Sequence, residues 1–384
     1  MNHPAPLVTI ILPCLNEEGA IVACLQEIQR ALAAGNWPAE VIVVDNNSRD
    51  RSAALVLDYQ AHFPPLRLVE EKQSGYGFAY QRGLKEAQGR YIFMADADGT
   101  YDFGELPRFI RALQDGADLA VGNRFSGGIA AKAMPWPNRY IGNPFLSWLV
   151  RRLFRVKIND IHCGARAISR GALDRLNLCT GGMEFASEMI IKAARQNLRL
   201  VELPIAYRPR IGESKLHSLS DGWRHLRFIL LYSPLFLFFL PGAALFALGL
   251  IMMAIFYFSQ PVIFGVPLYT HPMFIFSVMI ILGYQLILFS GFSKVYAITQ
   301  LDDNDRLIES LFRHITIEKT GLFGLLLAAV GAIIYLSILI GWLNSGFGAL
   351  PEIKESIIAL TLLVLGIQTF FAAFMFSILG IKNK

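Results

Sequence analysis

Two carboxylates one residue apart, Asp96 and Asp98, flank Ala97 at the end of the apolar run 91–95. An apolar run of that length bounded by polar residues predicts a buried strand. The groups that follow it stand at its C-terminal edge, where open α/β sheets take their ligands. The two acids would repel each other unless a cation lay between them. Mg2+ and Mn2+ are the fitting guests, because hard ions prefer oxygen and bind through one or two carboxylates together with substrate phosphates. Asp96 and Asp98 are therefore the candidate metal ligands. Taken alone, the tripeptide also reads as a solvated Asx turn closing a strand, so its surroundings must decide.

Five strand-like runs, 7–12, 40–44, 66–69, 91–95 and 118–121, alternate with helical patterns at about 18–34, 51–62, 77–87 and 104–114. The order βαβαβαβαβ predicts a mostly parallel sheet covered on both faces. Its strand ends converge on one crevice, and the polar residues after them are Asn16 and Glu17, residues 45–48, Glu70 and Glu71, Asp96 and Asp98, then Asn123 and Arg124. Such a row of acids and amides with one arginine suits a nucleoside diphosphate better than a hydride carrier. The first strand runs into Pro13-Cys14-Leu15-Asn16-Glu17 rather than G-x-G-x-x-G, Gly75-Tyr76-Gly77 lacks the third glycine, and there is no Walker A motif. Gly75, Gly77 and Gly83 either relieve crowding at a helix start or let a ligand approach closely.

The 384 residues are 54% hydrophobic with a formal net charge of +5, and the apolar content is concentrated in the second half. Stretches at about 235–258, 274–298, 320–343 and 356–380 are each long enough to cross a hydrocarbon core. The connection 259–273 has no Lys or Arg, whereas Arg224 and Arg227 precede the first span, Arg306, Arg313 and Lys319 lie between the second and third, and Lys382 and Lys384 follow the fourth. The charge bias predicts an integral membrane protein with its polar half, second loop and tail in the cytoplasm, in the plasma membrane if the source is bacterial. The run 7–12 is too short for a signal peptide and meets Asn16, Glu17 and Glu18, so no cleavable leader is expected. Cys14, Cys24, Cys163 and Cys179 lack C-x-x-C spacing and predict reduced thiols rather than a zinc site. With no nucleic-acid motif, the modest positive charge is read as attraction to anionic lipid and phosphate, and no nucleic-acid partner is expected.

The motifs at residues 13–17, 43–48, 75–83, 96–98 and 122–124, followed by Asp160-Ile161-His162-Cys163-Gly164-Ala165-Arg166 and Arg210-Ile211-Gly212-Glu213-Ser214-Lys215, together resemble a family 2 glycosyltransferase of the GT-A fold. More narrowly the chain is similar to the polyprenyl-phosphate glycosyltransferases, the dolichyl-phosphate mannose and glucose synthase group, over roughly residues 5–225. The resemblance implies an α/β, Rossmann-like cytosolic domain at 1–215 with an interfacial helix at about 144–156. A juxtamembrane amphipathic helix at 216–232 and a four-helix membrane domain at 233–384 would follow. It assigns the nucleoside to Pro13, Asn16, Glu17, Asp45, Asp96 and Ala97, and makes Asp98 the principal metal ligand. The chain departs from the family at Leu15 (an aromatic there), Asn46 (an Asp) and Thr100 (a Gln), which leaves the third metal ligand open among Thr100, Asp102 and water.

The implied reaction has an oxygen of a lipid phosphate attack C1 of a nucleotide sugar and expel the nucleoside diphosphate, with inversion. The metal would neutralise charge on the leaving group. A phosphate monoester is largely ionised at pH 7, so no strong base is needed. The acceptor instead needs a cationic clamp, and arginine's planar fork matches phosphate. The resemblance points to Arg124 and Arg139, with Asn143 beside them. Arg210, Ser214 and Lys215 stand where a loop could close over the donor phosphates. Residues 144–156 and 216–229 are rich in Phe, Trp, Leu and Arg and read as interfacial helices or as helices packed on the sheet. His162 reads as structural, and Glu184 and Glu188, one turn apart, as sugar contacts or a solvated face.

The expected partners are thus a UDP- or GDP-linked sugar, undecaprenyl or dolichyl phosphate and the bilayer, and self-association is left open. The competing expectations are a processive polysaccharide synthase and a non-catalytic nucleotide-sugar-binding scaffold. Against the synthase, no Q-x-x-R-W follows Gln196, whose successors are Asn197, Leu198, Arg199 and Leu200.

Overall fold

The computed structural model describes residues 6–212, 218–263, 265–300, 317–350 and 352–380, in two compact units, Met1–Ile229 and Leu230–Lys384. The first unit is built on β1 (Val8–Cys14), β2 (Ala39–Asp45), β3 (Leu66–Glu70), β4 (Tyr91–Met94) and β5 (Leu119–Asn123), the strands that the apolar runs predict. Between them lie α1 (Ile21–Gly35), α2 (Ser52–Gln60), α3 (Tyr76–Glu86) and α4 (Leu106–Gln114). β1 and β2 are buried along nearly their whole length, as strands covered on both faces must be. Helix α4 buries Leu106, Phe109, Ile110 and Leu113, a 3.6-residue stripe that seals one sheet face, where Phe109 meets Phe93 edge-on at 5.2 Å.

The sheet has seven strands rather than five, in the order β3-β2-β1-β4-β6-β5-β7. The two additions are β6 (Arg166–Ser169) and β7 (Leu200–Pro204). β6 is four residues long, begins with a charged residue and lies inside a polar motif, so periodicity does not announce it. β7 carries Glu202 and Pro204, which an edge position tolerates. β6 runs antiparallel to β4 and β5, pairing Arg166 with both Met94 and Val121. That reversal brings the residues before β6, not those after it, to the C-terminal edge of its parallel neighbours. The Asp160 motif therefore joins the crevice.

Helix α5 (Asn143–Phe154) has two faces: Leu146, Ser147, Leu149 and Val150 are buried, while Phe145 and Trp148 are exposed. α6 (Phe185–Arg195) is buried along most of its length, and α7 (Ser218–Leu231) exposes Trp223 while burying His225.

Among the described residues, the second unit holds four helices long and apolar enough to cross a membrane, at Leu235–Phe258, His271–Tyr296, Glu318–Asn344 and Ile353–Gly380. They coincide with the four predicted stretches. Within them α8 (Leu240–Phe258) packs on α9 (His271–Gln300), and α10 (Ile317–Asn344) packs on α11 (Ile353–Gly380). Gly283 of α9 allows backbone contact, since a Cβ there would lie 2.4 Å from the Phe246 nitrogen. Between α9 and α11, Ser277 meets Thr361 (2.7 Å), Tyr284 meets Thr369 (2.6 Å) and Gln285 meets Gln368 (2.9 Å), a polar seam that satisfies groups hydrocarbon would leave bare.

Cys14, Cys24 and Cys163 are buried in the first unit, and burial pushes their thiols up to about 12. Cys179 is exposed, although its partial burial and the Glu188 carboxylate raise its thiol as well. A maleimide applied to the native protein is expected to alkylate Cys179 and to reach the other three only after denaturation. Peptide mass spectrometry reads the order, and early labelling of Cys14 or Cys163 would contradict this packing.

Candidate active site

The loops after β1 and β2 are stitched together at the crevice. Asn16, in the left-handed region that asparagine tolerates, donates its N–H to Ser48 Oγ (3.0 Å), and its Oδ1 accepts from the Arg49 N–H (2.7 Å). Glu17 donates its N–H to Ser52 Oγ (2.7 Å). Pro13 pairs with Val44, and Asp45 ends β2 opposite Cys14. Asp45 Oδ2 accepts from the Ser48 N–H (3.3 Å), while its Oδ1 is sealed from solvent without a hydrogen-bond partner.

Asn46 explains its own departure from the family pattern. Its amide donates to the carbonyls of Glu71 (2.9 Å) and Gln73 (2.7 Å) and accepts from the Gly75 N–H (2.8 Å). An aspartate could not donate to those carbonyls. The amide therefore sets the loop that starts α3.

β4 delivers Asp96, Ala97 and Asp98 to the same edge. Tyr76, the first residue of α3, donates its hydroxyl to Asp96 Oδ1 (2.9 Å). Asp98 Oδ1 accepts from the Thr100 N–H (3.1 Å) and hydroxyl (2.6 Å). Its Oδ2 lies 3.1 Å from Arg210 Nη1, and Arg210 Nη2 is paired with Glu17. Arg210 is held there by backbone as well: Arg208 donates its N–H to the Thr100 carbonyl (2.9 Å) and Ile211 donates to the Asp98 carbonyl (3.0 Å). Burial, followed by the charge of Asp98, pushes the Asp96 carboxyl up to about 7, against the pull of Tyr76, Arg210 and Arg124. Asp102, a candidate third ligand, is turned toward Arg208 at 2.6 Å.

Arg124 follows β5, as predicted, but most of its fork is committed. Nε and Nη2 bind the two oxygens of Asp160 at 2.7 and 2.8 Å, the Arg124 N–H donates to Asp160 Oδ2 (3.1 Å), and the guanidinium stacks 5.0 Å from the Tyr207 ring. Burial opposes the charge on Arg124, yet Asp160 more than offsets it and holds the guanidinium above its usual range. Nη1 is the end left for another anion. Arg139 stacks on Tyr140 at 5.4 Å and Asn143 touches Met134 Sδ at 3.5 Å. Among the described residues no hydrogen bond or ion pair joins Arg139 or Asn143 to Arg124, Asp96 or Asp98. The link is indirect, through α5, whose Ser147 Oγ accepts from the Ile161 N–H (3.4 Å) beside Asp160. Ser214 and Lys215 lie outside the described residues.

Sequence reasoning missed Tyr76, Asp160 as the partner of Arg124, and Arg166. The buried Arg166 donates to the carbonyls of Cys163 (2.7 Å), Ala186 (2.6 Å) and Ile161 (2.6 Å), which shapes the Asp160 loop. A charged residue opening an otherwise apolar stretch was the available signal. His162 packs edge-on against His225 at 4.4 Å, and burial lowers the pKa of both rings, that of His225 to about 4.

A mostly parallel sheet with a pair of acids at its strand ends, in one chain with four apolar helices among the described residues, is an α/β domain followed by a candidate membrane region. Residues 9–176 match the model of glycosyl transferase family 2, and residues 291–380 match the family 2 C-terminal transmembrane region. The chain is 34% identical to the low-salt glycan biosynthesis hexosyltransferase of Haloferax volcanii, covering 98% of this chain and 90% of that protein. It is 31% identical to the dolichyl-phosphate hexose transferase of the same organism over 56% of this chain and 88% of that one. With the dolichol-phosphate mannosyltransferase of Pyrococcus furiosus it shares 29% identity over 57% and 62%, respectively. A solved structure of glucosyl-3-phosphoglycerate synthase from Mycobacterium tuberculosis with Mn2+, UDP-glucose and phosphoglyceric acid is 18% identical, with a TM-score of 0.48 over 59% of this chain and 80% of that one. A likeness of that degree carries no inference about ligands. The chain belongs to glycosyltransferase family 2 and is a glycosyltransferase with a GT-A-like domain.

Removing Asp160 would leave Arg124 charged and buried without its partner. Asp160→Ala is expected to cost about 3–5 kcal/mol of stability. Chemical denaturation of the detergent-solubilised chain measures it, and a loss below about 1 kcal/mol, the scale of an exposed pair, would refute the buried bridge.

Proposed function

We propose that this glycosyltransferase moves one hexose from a UDP-glucose- or GDP-mannose-type donor to a polyprenyl phosphate at the cytoplasmic membrane face, with inversion at C1. The observation that carries the reading is the Arg210 guanidinium lodged between Glu17 and Asp98, beside Asp96. The strand edge gathers more negative charge than it can keep without a cation. A divalent ion fits that demand, since Asp96 and Asp98 offer two hard donors. Among the described residues no cluster of three or more His, Cys, Asp or Glu forms a ligand set, so donor phosphates and water fit the remaining positions. Mg2+ or Mn2+ held by Asp96 and Asp98 would supply Lewis-acid stabilisation of the departing diphosphate.

The chain's own groups account for the rest. Pro13, Asn16, Glu17, Asp45 and Ala97, at or just beyond the ends of β1, β2 and β4, frame the nucleoside. Arg210 leaves Asp98 and Glu17 when the donor enters and, with Ser214 and Lys215, meets its phosphates. Arg124 through Nη1, with Arg139 and Asn143, holds the acceptor phosphate in line with C1. A phosphate oxygen forms the new bond to C1 as the bond to the nucleoside diphosphate breaks. Because that oxygen is already ionised, no protein base takes part.

The relatives that are a dolichyl-phosphate hexose transferase and a dolichol-phosphate mannosyltransferase support a lipid acceptor. So do exposed Trp136, Tyr140, Phe145, Trp148 and Trp223 close in sequence to Arg139, Arg151 and Arg224, a mixture that suits the headgroup plane. The bias of Lys and Arg toward the second loop and tail supports a cytoplasmic site.

Purified protein given labelled nucleotide sugar, divalent metal and polyprenyl phosphate should yield chloroform-soluble label. Polymer formed without added lipid would favour a synthase instead. Asp98→Asn is expected to lower that transfer by roughly 100-fold or more, as loss of a charge-stabilising group does, and a normal rate would refute the assignment. Arg139→Ala should raise the KM for polyprenyl phosphate about tenfold, the effect of one lost charge-assisted hydrogen bond, and a defect confined to donor KM would remove Arg139 from the acceptor site.

A further inference from the structure

The two acids that follow β4 are held by different means. Asp98 accepts from the Thr100 N–H and hydroxyl within its own turn and pairs with Arg210. Asp96 depends on another element. Among the described residues the Tyr76 hydroxyl, 2.9 Å from Oδ1, is the one hydrogen-bond donor to its side chain, and no ion pair reaches it. On the other side the backbone closes in: a Cβ on Gly164 would lie 2.6 Å from Asp96 Oδ2, and the Gly164 N–H is tied to the Tyr101 hydroxyl (2.7 Å). The carboxylate is gripped between a phenol and a glycine.

The surroundings of Tyr76 keep that hydroxyl in place. Tyr76 opens α3, and Gly75 before it donates its N–H to Asn46 Oδ1 (2.8 Å). Gly77 after it donates to the Gly181 carbonyl (3.0 Å), in packing so close that a Cβ on Gly77 would lie 2.1 Å from the Thr180 oxygen. The Tyr76 ring meets Tyr80 edge-on at 4.9 Å, and the buried Tyr80 stacks on Phe185 at 5.3 Å. The phenol is thus fixed at its foot and along its ring, and removing the hydroxyl leaves those contacts in place. Through Asn46, Gly75 and Tyr76, the loop after β2 is connected to the acid after β4.

We infer that Tyr76 is a positioning residue, whose hydroxyl fixes one oxygen of Asp96 and so orients the carboxylate for the divalent ion that accompanies the donor, an inference that rests on the function proposed above. A carboxylate has about four lone-pair sites, and a single donor leaves most of them for a cation. The neutrality of the phenol matters. A cationic partner, as Arg210 is to Asp98, competes with an incoming ion and has to leave, whereas a phenol orients the acid without repelling the ion and can stay. Donors to the carboxylates of a metal site set ligand orientation, and losing one weakens metal binding.

The test compares wild type and Tyr76→Phe as full chains in detergent. Electron paramagnetic resonance reads Mn2+ binding, with UDP or GDP present, from the loss of the free-ion signal. The melting temperature of the metal-free chain and the dependence of transfer on Mn2+ concentration are measured beside it. Tyr76→Phe is expected to raise the Mn2+ Kd about 10- to 100-fold. The metal-free melting temperature should hold, because the ring keeps its place on Tyr80. Excess Mn2+ should return transfer to near the wild-type rate, a rescue that damage to the fold would not allow. A rise in Kd below about tenfold overturns the inference, as does a lowered melting temperature or a rate that metal cannot restore. A wild type that binds no Mn2+ with either nucleotide overturns the metal site of the proposed function along with it, whereas wild-type binding matched by Tyr76→Phe overturns this inference alone.

Discussion

Negative charge gathered at one strand edge is the constraint around which the first unit is organised. Glu17 follows β1, Asp96 and Asp98 follow β4, and the sheet sets them side by side where little water reaches Asp98 or Glu17. Charges in that setting need a counter-charge or a proton. Arginine supplies the first, and burial moves Asp96 toward the second. Arg210 bridges Glu17 and Asp98, and the Asp96 carboxyl is shifted up to about 7 by burial and by its neighbour. The backbone bonds from Arg208 and Ile211 to the Asp98 segment follow from the same need, since they bring the arginine to its acids.

The second buried ion pair answers a different requirement. Arg124 and Asp160 form a two-pronged pair through Nε and Nη2, and the pairing ties the end of β5 to the loop before β6. Because β6 is reversed, that loop lies at the crevice, and Arg166 fixes its path through three carbonyls. Arginine is thus used here partly as scaffold. What remains for an incoming anion at Arg124 is one nitrogen, Nη1, rather than a whole fork.

The membrane unit follows a simpler rule. Its helices present Leu, Ile, Phe and Val outward, and their inner contacts use glycine and a few hydroxyl and amide pairs. Those pairs join α9 to α11, and Lys354 closes another contact by donating to the carbonyls of Phe256 (2.8 Å) and Tyr257 (3.0 Å) at the end of α8. The four spans were legible from composition alone because a hydrocarbon solvent imposes a length and a polarity on every residue in the run. The partners in the polar seam were not, because an isolated Ser, Thr or Gln in an apolar helix does not say which neighbour it faces.

The amino-acid sequence by itself determined the five parallel strands, the placement of Asp45, Asp96, Asp98 and Arg124 just beyond or at their ends, and the division into a polar and an apolar half. All of these rest on local periodicity, which acts between residues a few positions apart. Tertiary structure decided how those groups are used. Glu17 finds Arg210 across 193 residues, Arg124 finds Asp160 across 36, and Asn46 reaches the carbonyls before α3. It also separated two like residues, satisfying Glu188 within its loop and leaving Glu184 with an unpartnered oxygen. Side-chain pairing is a property of three-dimensional proximity and of the water excluded by it, and neither quantity is written in the spacing of residues along a chain.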